Sequence, residues 1–151
     1  MSNLAYELRK AIRADLIAEG IVTATQCVVE RQGDILQEVA AIVAKTGSVA
    51  VTIAPADSEM LDPESKSLMH RSTIRIHLWA RPVLAAVGSA PEEDLSEAIV
   101  RRLHHLVIDG IHNVAPGYEK GQRLHVLGWA DVDDPEYLRT TITVRTLLCL
   151  T

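Results

Sequence analysis

The chain has 151 residues, with 15 Lys and Arg against 20 Asp and Glu, and 48% of it is apolar with no Phe. That length suits a single domain, 1–151, that buries roughly 68–70% of its unfolded surface; its core must be aliphatic, because Trp79, Trp129, Tyr6, Tyr118 and Tyr137 are the only aromatic residues. A net charge of −5 argues against tight nonspecific attachment to phosphate backbones, which needs a concentrated basic surface, but not against a protein that merely surrounds DNA.

The opening NLAYELRKAIRADLIAE places Leu4, Leu8, Ile12 and Leu16 at four-residue steps, which predicts an amphipathic helix with Gly20 as its stop. Its early polar residues (Ser2, Asn3, Glu7, Arg9, Lys10) fit neither a signal peptide nor a membrane span. The following IVTATQCVVERQG is ambiguous and has room for a short strand. A second helix is expected over 34–45, where Asp34 and Gln37 form a capping-box pattern and Val39, Ala40, Ile42 and Val43 an apolar stripe before Gly47.

From Ser48 the pattern turns extended. SVAVTIA reads as one strand and 73–80 as the next, with Ile74, Ile76, Leu78 and Ala80 on one face and Thr73, Arg75, His77 and Trp79 on the other. Between them PADSEMLDPESKSLMH, 55–70, reads as a loop longer than a hairpin needs, and such loops are usually functional or disordered. It is solvated by Asp57, Glu59, Asp62, Glu64 and Lys66, yet carries Met60, Leu61, Leu68 and Met69. Those four suit an arm that docks on a neighbouring molecule; the plainer reading is a surface loop with incidental apolar residues.

A third helix should follow, with Ser89 and Glu92 as a capping box, Pro91 in the first turn, and a stripe of Leu95, Ile99, Leu103 and Leu106 running to Gly110. Its acidic start (Glu93, Asp94) and basic end (Arg101, Arg102) suit the helix dipole. QRLHVLGWADV and YLRTTITVRTLLCL, joined by DDPE, then read as a closing hairpin. The expected fold is α+β, order α-α-β-β-α-β-β: a mainly antiparallel sheet of about four strands with helices packed on one face.

Candidate chemistry is sparse. His104, His105 and His112 could bind a metal, but neighbouring helical residues point about 100° apart and no HExxH or Cys partner accompanies them, so solvated helix histidines are the simpler account. Asp131, Asp133 and Asp134 could gather a hard cation, although Asp in a hairpin turn is common for backbone reasons. No GxSxG, Walker or GxGxxG motif occurs. Cys27 and Cys149 show neither metal spacing nor disulfide density, so free thiols are expected.

More informative is the face of the sheet turned from the core. Alternation places Arg75, His77 and Trp79 on it, together with Arg123, His125, Leu127 and Trp129, and with Arg139 and Arg145. Trp and Arg interleaved in this way have interface composition; the alternative is that helices or a loop of the same chain cover the tryptophans.

The starting helix, the two strands with their long connection (VAVTIAPADSEMLDPESKSLMHRSTIRIHLWARP), the helix EEDLSEAIVRRLHHLVIDG and the final strand pair ending TTITVRTLLCL together resemble the tail-terminator, or tail-completion, proteins of long-tailed bacteriophages and related neck proteins. The resemblance spans nearly the whole chain and lies in its layout. It implies a noncatalytic virion protein without cofactor or bound metal, assembled in the host cytoplasm. Such a protein would form a homo-oligomeric ring, typically hexameric, that joins the tail tube protein to the head–tail connector, with DNA at most passing through the lumen. The polar sheet face and the 55–70 segment would then be subunit or tube contacts. The extra helix at 34–45 leaves another neck or tail adaptor as an alternative, and the histidines leave a small ligand-binding or metal-dependent enzyme domain.

Overall fold

The computed structural model describes residues 3–31, 34–82, 91–111 and 122–150. Ser89, His112 and Tyr118, named above as a cap, a ligand candidate and an aromatic, lie outside the described residues. The chain is α+β, in the order α1 (Leu4–Ala18), β1 (Cys27–Val29), α2 (Ile35–Thr46), β2 (Ala50–Ile53), β3 (Asp57–Met60), β4 (Met69–Ala80), α3 (Pro91–Leu103), β5 (His125–Val132) and β6 (Leu138–Cys149). One six-stranded mixed sheet runs β1-β2-β4-β6-β5, with β3 also paired to β4.

The helices begin where their caps dictate. Asn3 accepts a hydrogen bond from the Tyr6 N–H through its side chain, and Asp34 from Gln37, so each satisfies an amide the helix leaves open. Gly47 closes α2 in the left-handed conformation at φ 63° and accounts for its sharp end. The third helix stops earlier than expected, at Leu103, so Leu106 lies beyond it.

The four-strand antiparallel expectation needs correction. CVV forms β1, which pairs parallel to β2, and parallel neighbours require a crossover between them. That crossover is α2, which therefore lands on the face opposite α1 and α3. There Val39, Ile42 and Val43 pack on Ala50 and Trp79. The helices thus occupy both faces rather than one.

The main core lies on the other side. Leu8, Ile12 and Leu16 of α1 and Ile99 and Leu103 of α3 pack against Val51, Ile53, Ile74, Ile76, Leu78, Ile142, Val144 and Leu148. Those strand positions alternate on β4 and β6, which pair over their whole length from Met69↔Cys149 to Ala80↔Leu138. Arg102 of α3 grips Asp15 of α1 through two hydrogen bonds, at 2.8 and 2.7 Å, and fixes the two helices to each other.

The long loop of 55–70 also needs correction. Ile53 lies opposite Ile76 and Asp57 opposite Thr73, so four residues on one side span three on the other. β2 and β3 are thus successive segments along one edge of β4, separated by a one-residue bulge that contains Pro55. Proline lacks the N–H that a ladder needs there. The hairpin continues to Met60↔His70, and only residues 61–68 form the loop. It is turned by Asp62, whose carboxylate accepts the Glu64 N–H and whose carbonyl accepts that of Ser65.

Candidate functional site

Register decides which side chains share a face. Trp79 lies opposite Arg139, His77 opposite Thr141 and Arg75 opposite Thr143, so these six occupy the side turned away from α1 and α3. His125 joins them opposite Arg145, and Val126 faces the core opposite Val144. Gly128, not Leu127, then pairs with Thr143, which makes Leu127 the extra residue of a bulge. Each later residue of β5 changes sides as a result. Trp129 lies opposite Ile142, on the face that carries α1 and α3. The two tryptophans therefore stand on opposite faces, contrary to simple alternation.

Trp79 is 3% exposed and Trp129 53%. α2 covers Trp79, and the indole is held on several sides: its N–H donates to the Thr52 hydroxyl at 3.0 Å, Tyr137 meets it edge-on at 5.9 Å, and the Arg139 guanidinium lies 4.6 Å over its ring. His77 bonds the Thr141 hydroxyl through Nδ1 at 2.8 Å, while an Arg139 N–H approaches the same nitrogen at 3.3 Å. Burial, then Arg139 and Arg75, push the His77 ring down to about 4, so it is neutral at pH 7. Trp79 thus anchors α2 to the sheet, and His77 lies edge-on to its ring at 5.9 Å.

Beyond α2 no other described helix lies on this face. Arg71 and Arg75 are exposed there, with Thr73, Thr141, Thr143 and Arg145 half-buried. Arg75 reaches Asp57 of β3 at 2.7 Å. Arg123, just before β5, is exposed. Of the segment's apolar residues, Met69 is buried, Met60 and Leu61 are half-buried, and Leu68 is 39% exposed. Most of that arm belongs to its own hairpin.

The histidines come together differently from the helical expectation. α3 ends before them, and His105 takes a left-handed conformation at φ 65°. Its N–H donates to the Leu124 carbonyl at 2.7 Å, and the Leu124 N–H donates back to Leu106 at 2.8 Å. The turn stacks His104 on His105 at 4.1 Å, with His125 edge-on to His105 at 5.4 Å. His104 Nδ1 accepts the Val126 N–H at 3.1 Å, which places its own proton on Nε2. His104, then partial desolvation, His125 and Arg123, lower the His105 pKa. Among the described residues no three His, Cys, Asp or Glu side chains are grouped to hold a metal.

The aspartates serve the hairpin. Asp134 accepts the N–H groups of Glu136 and Tyr137, both at 3.0 Å, and Asp131 accepts from the Thr140 hydroxyl at 3.0 Å. Neither cysteine is in a disulfide. Burial raises the Cys27 thiol to about 12, which leaves it protonated and inert.

Sequence reading missed a cationic cluster on α1. The charged groups of Arg9, Lys10 and Arg31 lie 5.5, 5.4 and 4.6 Å from the Tyr6 ring centroid. Arg9 donates to the Glu30 carbonyl at 2.8 Å, and Arg13 to those of Cys27 and Ala24 at 2.7 and 2.8 Å. The available signal was Tyr6 followed at i+3 and i+4 by Arg9 and Lys10, a spacing that puts all three on one helix face.

No protein-family model matches this sequence, and no curated protein is similar to it. Among the described residues no helix is long and apolar enough to cross a membrane.

Proposed function

We propose that this chain is a noncatalytic assembly subunit that closes into a ring of identical copies, in the manner of a tail-terminator protein joining a phage tail tube to its head connector. The observation that carries the reading is the margin of the sheet at β5. Among the described residues no strand pairs on its outer side, yet it presents Leu127 at 49%, Trp129 at 53% and Val132 at 39% exposure. An edge of unpaired amides and carbonyls with large apolar side chains is a template for association, and natural edges are normally blunted. Here β1 is blunted: Gln26 and Glu30 bond toward β2, so the Cys27 carbonyl points outward, where Arg13 caps it. A guarded edge at β1, a short polar one at β3 and an open apolar one at β5 suit a subunit that joins others in a directed way.

The placement in a virion, the hexameric count, and the tail tube and connector as partners belong to the same proposal and rest on the layout of elements. The turn chemistry of the aspartates and the absence of a three-ligand group among the described residues weigh toward a structural role over a metal-dependent one. The test is the solution mass by light scattering, with negative-stain images of the same sample, alone and mixed with tail tubes. Rings of uniform size support the reading, and a monodisperse monomer under both conditions refutes it.

A further inference from the structure

The two margins of the sheet differ in charge, and a single row of side chains runs between them. Register aligns Val29 with Ile53, Ile53 with Ile76, Ile76 with Ile142, and Ile142 with Trp129. At the β5 end, Trp129 and Asp131 emerge on the face that carries α1, and Asp133, Asp134 and Glu136 follow in the adjoining turn. Among the described residues none of these four acids forms an ion pair.

At the β1 end α1 lies over the same face, bringing the cations around Tyr6. Among the described residues Arg9, Arg13 and Arg31 have no carboxylate within ion-pair distance, and Lys10 has Glu7 at 3.5 Å. An acidic margin with an exposed indole thus stands at one end of the row, and a cationic margin at the other. Opposite charges placed at matching height on opposite edges complement each other when copies are set side by side in the same orientation.

We infer that the β5 margin of one copy, through Trp129, Asp131 and the 133–136 turn, docks on the exposed Lys10 and Arg31 beside Tyr6 of the next, with the buried Arg9 behind them. This deepens the assembly reading and rests on it. The contact is heterologous, since a different patch is used on each side, and a contact of that kind generates rings or open filaments rather than isolated pairs. Carboxylates meet guanidinium and ammonium groups, and the Trp129 ring offers its face to a cation.

Charge reversal tests this directly. Asp133→Lys with Glu136→Lys reverses the charge at two exposed positions of the acidic margin, and Lys10→Glu with Arg31→Glu does so at two exposed positions of the cationic one; thermal melts close to wild type establish that the variants fold. Each variant alone should dissociate at a concentration where the wild type is assembled, with roughly tenfold or greater weakening. Mixed in equal amounts, the two should reassemble in alternation. An assembled wild type whose mass neither reversal changes, or two monomeric variants that stay monomeric when mixed, overturns the interface while leaving the assembly reading in place. A wild type that remains a monomer, alone and with tail tubes, instead refutes the assembly reading itself.

Discussion

Acid should loosen this protein through His77, and the size of the effect follows from its surroundings. The ring is 8% exposed and its pKa is lowered from 6.5 to about 4, first by burial and then by Arg139 and Arg75. The unfolded chain therefore takes up the proton at a higher pH than the folded one. Stability is complete above the unfolded value, falls as pH drops from about 6.5 to about 4, and is lost no further below that. Each pH unit well inside the window costs about 1.4 kcal/mol. Acidification from pH 7.5 to 5.0 would thus remove about 2 kcal/mol from a fully shielded ring, and about 1 to 2 kcal/mol here, because solvent screens the two arginines. His105 acts in the same direction, so the measurement must be a difference. Urea unfolding of the wild type and of His77→Gln at both pH values isolates it, since glutamine retains a hydrogen-bonding group near Thr141 and does not titrate. The wild type should lose about 1 to 2 kcal/mol more than the variant across that interval. Equal losses in the two proteins would refute the argument.

The tryptophans should separate in fluorescence. Trp129, in a Trp79→Phe background, should be readily quenched by acrylamide in the free subunit and protected on assembly, whereas Trp79, in a Trp129→Phe background, should be shielded throughout; equal quenching of both would contradict the assigned faces. Ile76→Ala, at a fully buried position between α1 and the sheet, should cost about 2–5 kcal/mol in denaturant unfolding. Asp34→Ala removes the side-chain acceptor of the Gln37 N–H and should cost about 1 kcal/mol. In thiol titration with a disulfide reagent, Cys27 should react only as the chain unfolds, since it is buried and protonated; fast reaction of Cys27 in a Cys149→Ser variant would count against its placement.

Much of the architecture could be read locally. The four-residue spacing of Leu4, Leu8, Ile12 and Leu16 specified α1, Asp34 with Gln37 the start of α2, and the alternation from Leu138 to Leu148 a strand that is buried on one side. These features depend on neighbours within a turn or on strict periodicity, so they need no knowledge of the rest of the chain. The DDPE turn was equally legible, because Asp134 closes it with its own carboxylate.

What the sequence left open depends on partners distant along the chain. CVV becomes a strand because β2 offers it a parallel edge, and that pairing sends α2 to the second face, where it buries Trp79. DSEM lacks apolar alternation and is a strand because β4 extends past it. A bulge at Leu127, visible only when β5 is laid against β6, turns Trp129 to the opposite face from Trp79. His104 and His105 stack because Leu124 holds the chain after α3 in a left-handed turn. Local periodicity determined the three helices and the longer strands, while hydrogen-bond register between remote segments determined the short strands β1 and β3 and which face each side chain serves, since one residue of slip reverses a strand.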